Sequence, residues 1–124
     1  MTESLRVGVV GGGVIAATHI PYIRKAGGIL VGVADLSSVR ANDIADRFAL
    51  RNIYRSVVDM IDAERPDVVH VLTPPHTHAE VAVAALERGV HVLVEKPMAN
   101  TSAEVERMLD AAHRGGALLT VDHN

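Results

Sequence analysis

The feature that most restricts the fold is a regular alternation of short apolar runs with longer amphipathic segments along the whole chain. The apolar runs have the composition of buried strands, and the segments between them repeat their apolar residues at helical spacing. The predicted strands are Leu5–Val10, Ile29–Ala34, Asn52–Tyr54, Val68–Leu72, Val90–Val94 and Leu118–Val121. The predicted helices are Ile15–Lys25, Ser38–Ala49, Val57–Ala63, His78–Arg88 and Ser102–Arg114. This order predicts an α/β fold, a doubly wound parallel sheet with a ligand site beyond the carboxyl ends of its strands.

Two helix starts have the spacing of a capping box, in which a Thr hydroxyl and a Glu carboxylate bond otherwise unpaired backbone amides. They are Thr77 with Glu80 and Thr101 with Glu104. Both pairs therefore predict a well-defined helix start.

Composition limits the size and the partners of the protein. A chain of 124 residues is enough for one domain. The net charge of −3 is spread without a basic run, and aromatic residues make up 2% of the chain, so nucleic acid is not expected as a partner. The absence of cysteine is compatible with a cytoplasmic location. No segment approaches the roughly 20 apolar residues of a membrane span, so no membrane partner is expected.

A glycine-rich turn follows the first strand in the segment VGVVGGGVIAATH. Gly11, Gly13 and Ala16 have the spacing of a dinucleotide fingerprint, in which the second glycine lets a pyrophosphate approach the backbone. Val14 and Ile15 begin the helix, whose free amides and partial positive charge favour phosphate. A tight turn without a ligand is the alternative interpretation.

Asp35 ends the second strand, the position from which a carboxylate reaches the adenosine ribose. A carboxylate there repels a 2′-phosphate, so NAD is predicted as the cofactor and NADP is less favoured. Arg40 weakens that preference because a nearby arginine can hold a 2′-phosphate. The alternative is an aspartate that caps the next helix.

The seven histidines do not form a metal-binding pattern. His76 and His78 lack the four-residue spacing of helical metal ligands, so no metal site is predicted. His78 is expected at the mouth of the site or at the helix cap. His70, His91 and His113 are expected on the surface.

Lys96 follows the fifth predicted strand within the segment VLVEKPMA. Its three donors can hold a substrate hydroxyl at the same edge as the glycine turn, so Lys96 is the predicted catalytic residue. The alternatives are an ion pair with Glu95 and an exposed lysine in a turn.

Three segments occur together: GVVGGGVIAATH, VVHVLTPPHTHAEVAVAALERGVHVLVEKPMA and LLTVDHN. In this combination the chain resembles the nucleotide-binding domain of the glucose-fructose oxidoreductase, inositol dehydrogenase and rhizopine-catabolism (Gfo/Idh/MocA) oxidoreductases. The resemblance implies a Rossmann-type domain and NAD(P)-dependent hydride transfer at a hydroxyl or carbonyl of a sugar, a cyclitol or a related compound. It also implies a possible homo-oligomer.

The resemblance also assigns roles to residues. It implies that Gly11, Gly13 and Ala16 hold the pyrophosphate and that Asp35 holds the ribose. The remaining implied positions are Thr73, Pro74 and His78 beside the cofactor, and Glu95 and Lys96 near the nicotinamide.

Family members complete the site with a second α/β domain, and this chain ends where that domain would begin. Residues 1–124 are therefore expected to be the single NAD(P)-binding Rossmann domain of a longer enzyme, with the second domain absent. The alternatives are a stand-alone nucleotide-binding or sensing module and an S-adenosylmethionine-binding domain, neither of which explains Lys96.

Overall fold

A computed structural model of the chain describes residues 4–122. The strands are β1 Arg6–Val10, β2 Ile29–Ala34, β3 Ile53–Tyr54, β4 Val68–Val71, β5 His91–Glu95 and β6 Leu119–Asp122. The helices are α1 Val14–Lys25, α2 Ser38–Arg47, α3 Val57–Glu64, α4 His78–Leu86 and α5 Ser102–Gly115, with a 3₁₀ turn at Pro75–Thr77. No helix in this range is long and apolar enough to cross a membrane. The predicted domain end at Asn124 lies outside the described residues.

The six strands form one sheet in the order β3-β2-β1-β4-β5-β6, and every pair is parallel. This arrangement confirms the predicted doubly wound, Rossmann-type fold. The chain winds one way from β1 to β3 and then returns to place β4 on the other side of β1. Such a reversal leaves a crevice at the carboxyl ends of the two central strands, where α/β proteins bind ligands.

Helices cover both faces of the sheet with an aliphatic core. On one face Ile20 of α1 and Ile44 of α2 are almost completely buried. On the other face Met60, Leu86 and Met108 come from α3, α4 and α5. Burying each such side chain contributes about 1.5 to 3 kcal/mol, which fixes the helices on the sheet.

The two predicted capping boxes have different outcomes. At α5, the Thr101 hydroxyl accepts from the Glu104 amide at 3.1 Å and the Glu104 carboxylate accepts from the Thr101 amide at 3.1 Å, which confirms the prediction. At α4 the prediction is wrong, because Thr77 lies in the 3₁₀ turn and makes no capping bond. Its hydroxyl lies instead 2.6 Å from the Thr73 hydroxyl.

Candidate cofactor site

The carboxyl ends of β1, β2 and β4 border a groove of about 790 Å³. Five predicted site residues line it: Gly11, Gly13, Asp35, Thr73 and Pro74. Arg40, Arg55 and Thr77 also line the groove. The groove therefore brings together the glycine turn, the acid after β2 and the turn after β4, as the sequence predicts.

The three glycines of the turn meet different constraints. Gly11 has φ +106°, and a Cβ there would lie 2.9 Å from the Leu72 backbone, so the turn requires glycine. Its amide donates to the Ala34 carbonyl at 2.7 Å, which ties the turn to β2. A Cβ at Gly12 would lie 3.0 Å from the Arg40 carbonyl oxygen. A Cβ at Gly13 would meet nothing within 4 Å, so Gly13 faces open space.

Helix α1 begins beside that open space without a side-chain cap. Val14 is 85% exposed and Ile15 is 42% exposed, whereas Ala16 is fully buried against the sheet. The small side chain of Ala16 lets the helix pack close to β1. The uncapped start of the helix presents free backbone amides as hydrogen-bond donors. The cradle at Gly13 and the adjoining amides therefore fit a pyrophosphate.

Asp35 is 8% exposed, and its carboxylate accepts four hydrogen bonds. The Gly12 amide donates at 2.7 Å, the Ser37 amide at 2.8 Å, and two guanidinium nitrogens of Arg40 at 3.0 Å each. Burial raises the pKa of Asp35, but the bonds from Arg40, Gly12 and Ser37 outweigh it, and the pKa is lowered overall. The carboxylate is thus ionised, and its partner Arg40 has a side chain that is 59% exposed.

Lys96 lies on the exposed turn after β5, outside the groove lining. Within residues 4–122 it forms no ion pair with Glu95, because the Glu95 carboxylate accepts from His19 instead, at 2.8 Å. The alternative of a Lys96–Glu95 pair is therefore wrong. Lys96 and Glu95 nevertheless stand at the carboxyl end of β5, on the same edge of the sheet as the glycine turn.

His19 is a buried residue to which the sequence analysis assigned no role. It follows Ala16 and precedes Ile20 and Ile23 on the buried stripe of α1, which is the signal that places it inside. Its Nε2 lies 2.8 Å from Glu95 and 3.5 Å from Asp122.

His70 contacts the other side of the His19 ring, with the two Nδ1 atoms 2.9 Å apart. His70 is half-buried, so only part of the ring is at the surface where the sequence analysis expected it. Burial and the nearby His19 lower the pKa of His70 to about 4. Donor atoms of His19, Glu95 and Asp122 lie within 4.8 Å of one another, a spacing that a metal ion could use. These side chains already bond one another, and the absence of a metal site stays a prediction.

His78 is 1% exposed and lies beneath the site. Its Nε2 is 2.7 Å from the Thr73 carbonyl oxygen and its Nδ1 is 2.9 Å from the Pro97 carbonyl oxygen. The ring therefore connects two turns and has no free nitrogen for a ligand. Its expected place at the mouth of the site is replaced by one in the wall behind it.

Comparison with known proteins identifies the family. The profile of Gfo/Idh/MocA proteins, described as an oxidoreductase family with an NAD-binding Rossmann fold, matches residues 5–123. This chain belongs to that family.

Curated relatives of this Gfo/Idh/MocA domain include dehydrogenases of glucosides and inositol. D-glucoside 3-dehydrogenase of Escherichia coli (strain K12) is 35% identical over 125 residues, which cover 98% of this chain and 36% of the relative. Inositol 2-dehydrogenase of Salmonella agona (strain SL483) is 33% identical over 116 residues, which cover 91% of this chain and 34% of the relative. The chain thus spans about a third of the length of these relatives.

Solved structures show the same domain. WlbA dehydrogenase from Bordetella pertussis, in complex with NADH and UDP-GlcNAcA, superimposes with a TM-score of 0.92 at 29% identity, over 97% of this chain and 37% of that chain. Biliverdin reductase from Synechocystis sp. PCC 6803, in complex with biliverdin and NADP⁺, gives a TM-score of 0.87 at 32% identity, over 96% and 38%. The neighbours therefore include complexes with both nicotinamide dinucleotides.

Proposed function

We propose that this chain binds NAD(H) as the cofactor domain of a dehydrogenase that acts on a hydroxyl or carbonyl group of a sugar, a cyclitol or a related compound. The observation that carries the proposal is the open space at Gly13, beside the uncapped start of α1 and in the same groove as Asp35. The dehydrogenase relatives support the substrate class. The proposal includes residues 1–124 as one nucleotide-binding domain, and a cytoplasmic location.

Different residues of the groove bind different parts of the cofactor. Gly11 and Gly13, with the amides of Val14 and Ile15, receive the pyrophosphate. Asp35 accepts the ribose hydroxyls once the exposed guanidinium of Arg40 moves off the carboxylate. NAD is preferred over NADP because the same carboxylate repels a 2′-phosphate.

Bound nicotinamide would supply the chemistry of accepting or donating a hydride. The part left to this chain is to orient the substrate and handle its proton, since alcohol oxidation releases the hydroxyl proton. Lys96 is the proposed residue for both tasks, at the edge shared with the glycine turn: its ammonium form donates hydrogen bonds that orient the substrate oxygen, and its neutral amine form accepts the hydroxyl proton. Thr73 and Pro74 form part of the groove wall.

Replacing Gly13 tests the proposal without disturbing the fold. Gly13 has φ −81°, which alanine adopts freely, and a Cβ would meet no neighbour. Gly13→Ala should keep the urea midpoint of the parent and weaken NADH binding by at least about tenfold, because the methyl occupies the cradle. Isothermal titration calorimetry measures the change.

Val14→Ala is the matched control, since it trims the next side chain and keeps every amide. Its NADH affinity should stay within about twofold of the parent. Equal NADH affinity in Gly13→Ala and the parent would show that the pyrophosphate does not bind at this turn. That result would refute the proposed function.

The second candidate is a nucleotide-sensing module that never transfers hydride, and Lys96 separates the two. A sensor has no use for a lysine at this edge. NADH formation at 340 nm with a panel of sugars and cyclitols is the assay, and Lys96→Ala is the variant. Because Lys96 is exposed and lies outside the groove lining, we expect the 124 residues alone to bind cofactor without turnover. Lys96-dependent turnover would instead show that these residues suffice, and turnover unaffected by Lys96→Ala would exclude the role proposed for this lysine.

A further inference from the structure

His78 is the first residue of α4 and is 1% exposed, yet both its ring nitrogens are engaged by backbone oxygens of separate turns. Nε2 bonds the carbonyl of Thr73 at 2.7 Å, and Nδ1 bonds the carbonyl of Pro97 at 2.9 Å. A carbonyl oxygen accepts and cannot donate. The two contacts are both hydrogen bonds only when each ring nitrogen carries hydrogen, as in the positively charged form of the ring.

The two turns bonded by His78 carry different parts of the site. The first, Leu72–Thr77, follows β4 and contributes Thr73, Pro74 and Thr77 to the groove wall. The second, Lys96–Thr101, follows β5 and begins with Lys96. Strands β4 and β5 are neighbours, but their pairing stops at Val71 and Val94.

Beyond that point, no other hydrogen bond joins the two turns in the part of the chain that the structure describes. Hydrogen bonding between the Lys96 turn and the groove wall therefore passes through one buried ring, while Met98 and Ala99 of that turn pack against the core. Lys96 itself is exposed, and its side chain forms no hydrogen bond or ion pair within residues 4–122.

We propose that His78 is a positioning residue that fastens the Lys96 turn to the groove wall through two donated hydrogen bonds. The significance of this connection for hydride transfer rests on the function proposed above. The connection itself is a property of the ligand-free chain, so it is tested without cofactor.

Nuclear magnetic resonance of the uniformly ¹⁵N-labelled chain tests the ring directly. Both ring nitrogens of His78 should have shifts typical of N–H, with exchange slowed by burial. A ring nitrogen without hydrogen would overturn the proposal, because one carbonyl would then have no donor. This measurement needs no variant.

His78→Phe tests the consequence, because it keeps an aromatic ring and removes both donors. We expect the backbone order parameter of Lys96 to fall from about 0.85 towards about 0.6, while β4 and β5 stay rigid. His91→Phe is the control, since the His91 ring bonds the Leu118 amide and neither turn. Turn amides that stay as ordered in a folded His78→Phe variant as in the parent would refute the positioning role.

Adding ADP separates this proposal from the proposed function. In the parent, ADP bound in the groove should shift the amide signals of both turns. In His78→Phe it should shift those of the groove and leave the Lys96 turn unchanged, and a full response of the Lys96 turn would contradict the connection. ADP that shifts no signal in the parent would count against the cofactor site, while the ligand-free measurements would still decide the role of His78.

Discussion

Acidification is expected to destabilise the fold through His70. Its pKa is lowered from 6.5 to about 4, first by burial and then by the adjoining His19. The unfolded chain therefore binds more protons than the folded chain between these values, and stability falls as the pH drops through this window. Above pH 6.5 the contribution is complete, and below pH 4 the loss levels off.

The size of the effect follows from the two pKa values. The full shift corresponds to about 3 kcal/mol at 1.36 kcal/mol per unit. Between pH 7.5 and pH 5 linkage predicts a loss of about 2 kcal/mol in the free energy of unfolding. Of the neighbouring groups, His19 opposes the charge on His70, whereas Asp122 favours it. Asp35 has a pKa below its usual value, so it titrates beneath this window.

Urea denaturation followed by circular dichroism at pH 7.5, 6 and 5 measures the loss. His70→Gln removes the titrating ring and should flatten this part of the profile, even where the variant is less stable at pH 7.5. His113→Gln, on the exposed face of α5, is the control and should keep the parent profile. Parallel profiles for the parent and His70→Gln would refute the reasoning, because the acid sensitivity would then come from other groups.

Two further predictions concern cofactor choice and helix packing. Arg40→Ala should leave NADH binding at least as tight, because it frees the Asp35 carboxylate from its two bonds to Arg40. It should weaken NADPH binding by about tenfold, because the 2′-phosphate of NADPH loses a charge-assisted bond from the guanidinium. Calorimetry with both cofactors decides it, and an equal loss for both would contradict the pairing argument. Gly115→Ala should lower the thermal midpoint sharply or prevent folding, because its Cβ would lie 1.8 Å from the Leu86 carbonyl oxygen. An unchanged midpoint would mean that α4 and α5 can separate without cost.

The sheet was predictable because local patterns specify it. Runs such as VGVV and VVHV fit buried parallel strands, and the order of strands and helices restricts the connections. The edge that carries Gly13, Asp35 and Lys96 follows from the fold, because all three residues stand near the carboxyl ends of parallel strands. Local pattern fails where two similar signals meet different surroundings. Thr77 and Thr101 have the same spacing to a glutamate, but only the second lies in an extended conformation that can cap.

Contacts between residues far apart in the chain could not be predicted from the sequence. The period of α1 places His19 inside, yet nothing local indicates that it meets His70 and Glu95, which are 51 and 76 positions away. Arg40 was recognised as a residue near the ribose site, but its two bonds to Asp35 depend on the path of α2. Each of these contacts forms only when the helices are packed on the sheet.

The candidate site combines a well-defined end with an exposed one, and this difference bears on how binding and chemistry are related. At the adenosine end Asp35 is buried with four donors, and the glycine turn is tied to β2. At the other end Lys96 lies exposed on a turn whose link to the groove wall passes through His78. Affinity for a dinucleotide should therefore depend mainly on Gly13 and Asp35. The orientation of a reacting group should depend on His78, so a change at that ring can impair chemistry while adenosine binding is kept.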